Sequence, residues 1–144
     1  MAARPLSCPS AQPDMAEARV FAVVGGTPEA PRVAYLKAEA VVTPELAERI
    51  GDLPPTSVFR YAARCEESRC AHHDGHRCAL GARIAAMLEP VTDSLPSCQI
   101  RPSCRWYDEV GGEACRRCPQ VVTAIPEAQA RLREVAAPAM PPAE

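Results

Sequence analysis

Aromatic residues are scarce in this chain, at 4% of the sequence. The core is therefore expected to come from Val, Leu, Ile and Ala, within a 47% hydrophobic share that is ordinary for a globular domain. Lysine is rarer still: Lys37 stands alone beside fifteen arginines. The net charge is −2, and a phosphate backbone is held by a surplus of Lys and Arg, so no nucleic-acid partner is expected. No apolar run approaches the ~18 residues that cross a bilayer, so no membrane partner is expected either. Residues 1–18 carry three prolines and no apolar stretch of the kind a secretory leader needs. The expected compartment is a reducing cytoplasm. Eight cysteines in such a compartment read as metal ligands before disulfides.

The usual catalytic signatures are missing too. Gly25-Gly26 lacks the further glycines and the Lys-Ser/Thr pair of a phosphate loop. Cys70-Ala71-His72 is half of a Rieske pattern without its second half. Cys115-x-x-Cys118 is followed by Pro119 and not by the histidine of a haem attachment site, and it has no βαβ context for thioredoxin-like chemistry. A zinc deaminase needs a His-x-Glu and a Pro-Cys-x-x-Cys, and neither is present. No carboxylate pair or Ser-His-Asp set accompanies the cysteines, so the chain reads as a binding protein more than as an enzyme, with no catalytic residue assigned.

What is there divides into two halves. Residues 1–18 read as an irregular arm, and 19–123 as a single metal-binding domain. Residues 124–144 read as a C-terminal helix, about 127–136, and a disordered tail. Short apolar runs at 20–24, 32–36 and 57–62 predict strands. Thr43-Pro44-Glu45 predicts a helix start closed by Gly51. Leu80, Ile84, Met87, Leu88 and Val91 share one face and predict a helix over about 79–91. Shorter helical pieces are predicted from Pro102 to about Val110 and from Glu113 to Cys118. The expected class is α+β: a small N-terminal antiparallel sheet, then a helical, metal-stapled cysteine-rich half.

That half holds Cys65, Cys70, Cys78, Cys98, Cys104, Cys115 and Cys118, with gaps of 4, 7, 19, 5, 10 and 2 residues. Crowded thiolates repel one another unless a cation lies between them, and thiolates suit zinc, copper(I) and iron–sulfur centres. Structural zinc prefers paired knuckles with two to four residues between ligands. Only Cys115-x-x-Cys118 fits that tightly, with Cys65 and Cys70 at the loose end. Irregular spacing suits an iron–sulfur cluster, whose larger core spreads its ligands. The expectation is one or two 4Fe-4S clusters, with zinc as the alternative. Cys8, His72 and His76 are possible further ligands.

Arg60, Arg64, Arg69, Arg77, Arg101, Arg105, Arg116 and Arg117 lie near cysteines in sequence. They either compensate an anionic cluster or pair with the surface carboxylates Glu66, Glu67, Asp108, Glu109 and Glu113. The histidine run reads first as a solvated turn bent by Gly75. Trp106 is expected to pack beside the metal and exclude water.

Ser97-Cys98-Gln99-Ile100-Arg101-Pro102-Ser103-Cys104-Arg105-Trp106 and Ala114-Cys115-x-x-Cys118-Pro119-Gln120-Val121-Val122-Thr123 resemble a group of small bacterial proteins often labelled "nitrogen fixation protein". The likeness extends through Cys8-Pro9-Ser10-Ala11-Gln12-Pro13 and Val24-Gly25-Gly26-Thr27. The Cys-x-Ile, Arg-Pro and Cys-Arg elements also resemble part of the putative zinc- or iron-chelating domain family, whose opening Cys-x-x-Cys-Cys run is missing here. Both resemblances imply metal chelation and neither implies a reaction. The resulting expectation is an iron–sulfur protein that carries electrons, or delivers metal or clusters, to a partner enzyme. A zinc-stabilised interaction module is the alternative.

Overall fold

A computed structural model describes residues 6–27, 29–123 and 130–136. Four strands, β1 (Ser7–Ala11), β2 (Arg19–Gly26), β3 (Pro31–Val41) and β4 (Phe59–Arg64), form one antiparallel sheet in the order β1-β4-β2-β3. Among the described residues six α-helices follow or interrupt them: α1 (Pro44–Ile50), the single turn α2 (Pro55–Val58), α3 (Ala79–Met87), α4 (Arg105–Val110), α5 (Gly112–Arg117) and α6 (Ala130–Ala136). The chain is α+β, with the sheet in the first half and most helices in the cysteine-rich half. No helix among the described residues is long and apolar enough to cross a membrane.

Several expectations change. Residues 1–18 are not an irregular arm throughout, because 7–11 form β1 against β4. Strand alternation is disguised there by Ser, Cys and Pro, whose burial pattern is nonetheless that of an edge strand with one face inward. The strand placed at 57–62 starts at Phe59, since Pro55 opens a helical turn first. The helix placed at 79–91 stops at Met87. Leu88 is extended, and Pro90 denies its predecessor Glu89 the helical region. The helix placed at 102–110 is a 3-10 turn, Arg101–Ser103, then α4, because Cys104 between them is extended. Of the helix placed at 127–136, residues 130–136 are α6; the disordered tail lies outside the described residues. Thr43 behaves as expected, its Oγ1 accepting the Leu46 N–H at 3.2 Å.

Helices α3, α4, α5 and α6 pack on one face of the sheet. Phe21, Ala22, Val33 and Ala62 meet Leu80, Ile84, Ile100, Trp106, Val121, Leu132 and Val135 there. The opposite face buries Val20, Tyr61 and Ala63. Aliphatic residues dominate, as the composition predicts, but the largest buried side chains include Trp106, Tyr61 and Phe21. β4 is interior to the sheet, so Arg60 and Ala62 face the helices and Tyr61 and Ala63 the other side. Arg60 is thereby driven into the core with no exposed surface.

Candidate metal centres

The eight cysteines, each partly buried and unbridged, separate into two sets of four. Cys8, Cys65, Cys70 and Cys78 line one cavity of about 450 Å³. Cys98, Cys104, Cys115 and Cys118 line a narrow cleft of about 20 Å³, room for about one water-sized group. Electrostatic coupling follows the same division. The thiols acting on Cys8 are Cys65, Cys78 and Cys70, and those acting on Cys104 are Cys118 and Cys98.

Local structure explains the first set. Cys8 sits in β1 opposite Ala63, and the Cys65 N–H donates to Leu6 O at 2.9 Å, so the ends of β1 and β4 carry their thiols together. Cys70 and Cys78 flank a histidine-rich turn closed by a bridge between His73 and Cys78. Within it, Asp74 Oδ1 accepts the His76 and Arg77 N–H groups, and these two bonds hold its carboxyl below the usual range. The Cys78 N–H, just ahead of α3, donates to Glu109 Oε1 at 2.9 Å. Burial pushes the Cys8 thiol up to about 12. Burial also raises Cys78, against the N–H groups of Gly81 and Leu80 and the Trp106 indole, which favour its thiolate.

His72 and His73 line this cavity; exposed His76 does not. His72 Nδ1 lies 3.0 Å from Arg83 Nη2, a permanent donor, so the ring proton belongs on Nε2. Burial and then Arg83 lower its pKa. His73 Nδ1 accepts the Gly75 N–H at 3.1 Å. The His73 ring thus braces the turn, and the His72 ring ties it to α3.

The second set is local in sequence. Cys104 precedes α4, Cys115 lies within α5, Cys118 follows it, and Cys98 is in a stretch without regular structure. Gly111, with φ at 85°, makes the tight joint between α4 and α5. Burial pushes Cys104 up to about 12, opposed by the Tyr107 and Trp106 N–H groups. Burial raises Cys98 as well. Tyr35 of β3 places its hydroxyl against Cys118, and burial, then Cys118, raises the phenol strongly. Nothing in the sequence marks Tyr35, since it belongs to a strand far from the cysteines.

Two polar groups lie between or beside the sets. The Trp106 ring lines the second cleft, and its indole is directed at Cys78 of the first. Its buried Nε1 has no other hydrogen-bond partner. Trp106 is thus a wall of the second cleft that also reaches one thiol of the first set. Its close packing on α3 depends on Gly81, where a Cβ would come within 2.8 Å of Trp106 Cδ1. Arg60 donates from Nε to Pro9 O at 2.9 Å and from Nη1 to Cys118 O at 2.8 Å, with its guanidinium over Phe21 and Trp106.

The other arginines divide. Arg105 pairs with Glu109 at 2.7 Å and reaches Glu67 at 3.5 Å; Arg116 and Arg117 pair with Glu113. Arg101 donates to Pro96 O and lies over Tyr107. Carboxylate pairing therefore accounts for Arg116 and Arg117; Arg105 faces Cys65 as well as its carboxylates, and Arg60 has no carboxylate among its described contacts.

Two sets of four soft donors, each bordered by buried N–H groups that lack other partners, suit anionic thiolate-bound centres. Among the described residues, no three His, Cys, Asp or Glu side chains gather closely enough to hold a single ion as they stand. No protein-family model, curated protein or solved structure matches the chain.

Proposed function

We propose that the chain is an iron–sulfur protein with two four-thiolate sites, Cys8/Cys65/Cys70/Cys78 and Cys98/Cys104/Cys115/Cys118, that acts in electron transfer or in metal or cluster delivery to a partner enzyme. The observation that carries this reading is the four-and-four division of the cysteines between two cavities. Four cysteines are the ligand complement of a 4Fe-4S cluster. The thiols of each set border a shared space without forming a single-ion cage, and a cluster holds its ligands apart at the corners of an inorganic core. Trp106 and the apolar core around it would limit water at both sites, a condition that favours redox centres over hydrolysis. The bacterial resemblance carried by the sequence implies metal chelation and leaves the metal open. A zinc module is the second reading, favoured at the second site by the tight Cys115-x-x-Cys118 pair and the narrow cleft.

Anaerobic purification tests this, with iron, sulfide and zinc measured per chain beside the visible spectrum and EPR. The expected preparation is brown, and Cys8→Ser and Cys115→Ser each remove roughly half of the iron, from different sites. A colourless protein with stoichiometric zinc ends the iron–sulfur reading. Loss of all iron in either variant ends the two-site division.

A further inference from the structure

Arg60 is a fully buried cation without a carboxylate partner among its described contacts. Its Nε and Nη1 are used on two backbone carbonyls, and its buried Nη2 has no hydrogen-bond partner. A bare guanidinium in a core is costly, and such groups are retained beside an anion. The titratable groups that act on it are Cys118, Tyr35 and Cys104, all at the second site. The corresponding arginine at the first site is already neutralised: Arg105 is bound to Glu109 and Glu67, and Glu66 also lines that cavity.

Resting on the iron–sulfur reading above, we propose that Arg60 is a positioning residue that holds the second centre at a higher reduction potential than the first. A positive charge beside a centre stabilises its more negative, reduced form, and so does a hydrogen bond to a ligand sulfur. Donors reach a ligand sulfur at both sites, Tyr35 at Cys118 in the second and Trp106 at Cys78 and Arg105 at Cys65 in the first. The difference therefore lies in charge: Arg60 has no carboxylate among its described contacts, whereas Arg105 is offset by Glu109 and Glu67. A single electron from a one-electron donor protein, taken up at the first centre, then passes to the second. The first centre is oxidised by one electron as the second is reduced by one. This gives the chain a direction: the larger cavity is the entry, and the cleft under Trp106 is the resting place.

Potentiometric titration followed by EPR on the anaerobic protein tests this. Wild type should show two midpoints, and Cys8→Ser should keep only the higher one. Arg60→Gln should lower that higher midpoint and leave the lower unmoved; Arg60→Lys should retain most of the original separation. Unmoved midpoints in Arg60→Gln, an equal fall of both, or a Cys8→Ser variant that keeps the lower midpoint each overturn the inference while leaving the iron–sulfur reading intact. Where Arg60→Gln fails to hold the second centre, Arg60→Lys decides: a centre at the higher midpoint supports a role for charge. A centre at the lower midpoint, or none, makes Arg60 a packing residue and overturns it. A wild type without any redox-active cluster overturns the reading and the inference together.

Discussion

Replacing Gly81 by alanine sets two effects of known size against each other. Alanine is favoured over glycine inside a helix by about 1 kcal/mol, and Gly81 lies in α3. The new methyl would meet Trp106 at 2.8 Å from Cδ1, 3.1 Å from Cγ and 3.4 Å from Nε1. Overpacking of a filled core costs about 1–3 kcal/mol, and the indole has little freedom to yield. It is 2% exposed, has Arg60 5.5 Å from its ring, and carries the floor of the second cleft. The steric cost should therefore win, leaving Gly81→Ala destabilised by up to about 2 kcal/mol. The displacement would also pull Nε1 from Cys78 and disturb both sites. Anaerobic guanidinium denaturation gives the stability. The chain's only tryptophan makes its emission a direct report of the ring's surroundings. A variant about 1 kcal/mol more stable than wild type, with unchanged emission, would refute the packing of Trp106 on Gly81.

Glu109→Ala removes the partner of Arg105 and the acceptor of the Cys78 N–H together. Because Glu67 remains near Arg105, the loss should be about 2 kcal/mol, below the 3–5 of an isolated buried pair, and should be read by denaturation with iron content falling at the first site alone. The metal-free protein should lose stability in alkali. Cys8 and Cys104 hold their protons up to about 12 when folded, against an ordinary 9.0, so the folded state is favoured fully below pH 9 and progressively less as pH rises towards 12. The loaded protein, with cysteines already ligated as thiolates, should not show that decline. Parallel melting profiles of the two forms between pH 8 and pH 10.5 would contradict the buried thiols.

The cysteine-rich half and the α+β class were legible because they depend on composition and local periodicity. Leu80 and Ile84 share the inward face of α3 as their spacing requires, and Thr43 caps α1 as its type requires. The partition of the thiols was not legible, since it is decided by strand pairing. Cys8 looked remote from Cys65 along the chain, yet β1 lies beside β4. Arg60 looked like a neighbour of Cys65. The alternation of β4 turns it towards the helices, where its company is Cys118. Pro90 was legible as a helix stop, and the apolar face running to Val91 concealed it.

Strand β1 exposes the two sites to different histories. The cleft of Cys98, Cys104, Cys115 and Cys118 is built from one short stretch of chain, so closing it costs little loop entropy. The larger cavity needs Cys8 from near the start of the sequence and can close only once β1 has found β4. Distant contacts of this kind form late. If the two proposed centres are filled, the local one could template α4 and α5 during synthesis, whereas filling of the first would certify a finished sheet. On the two-centre proposal, a chain that has lost the grip of β1 would carry only half of its metal and would betray its own misfolding by that shortfall.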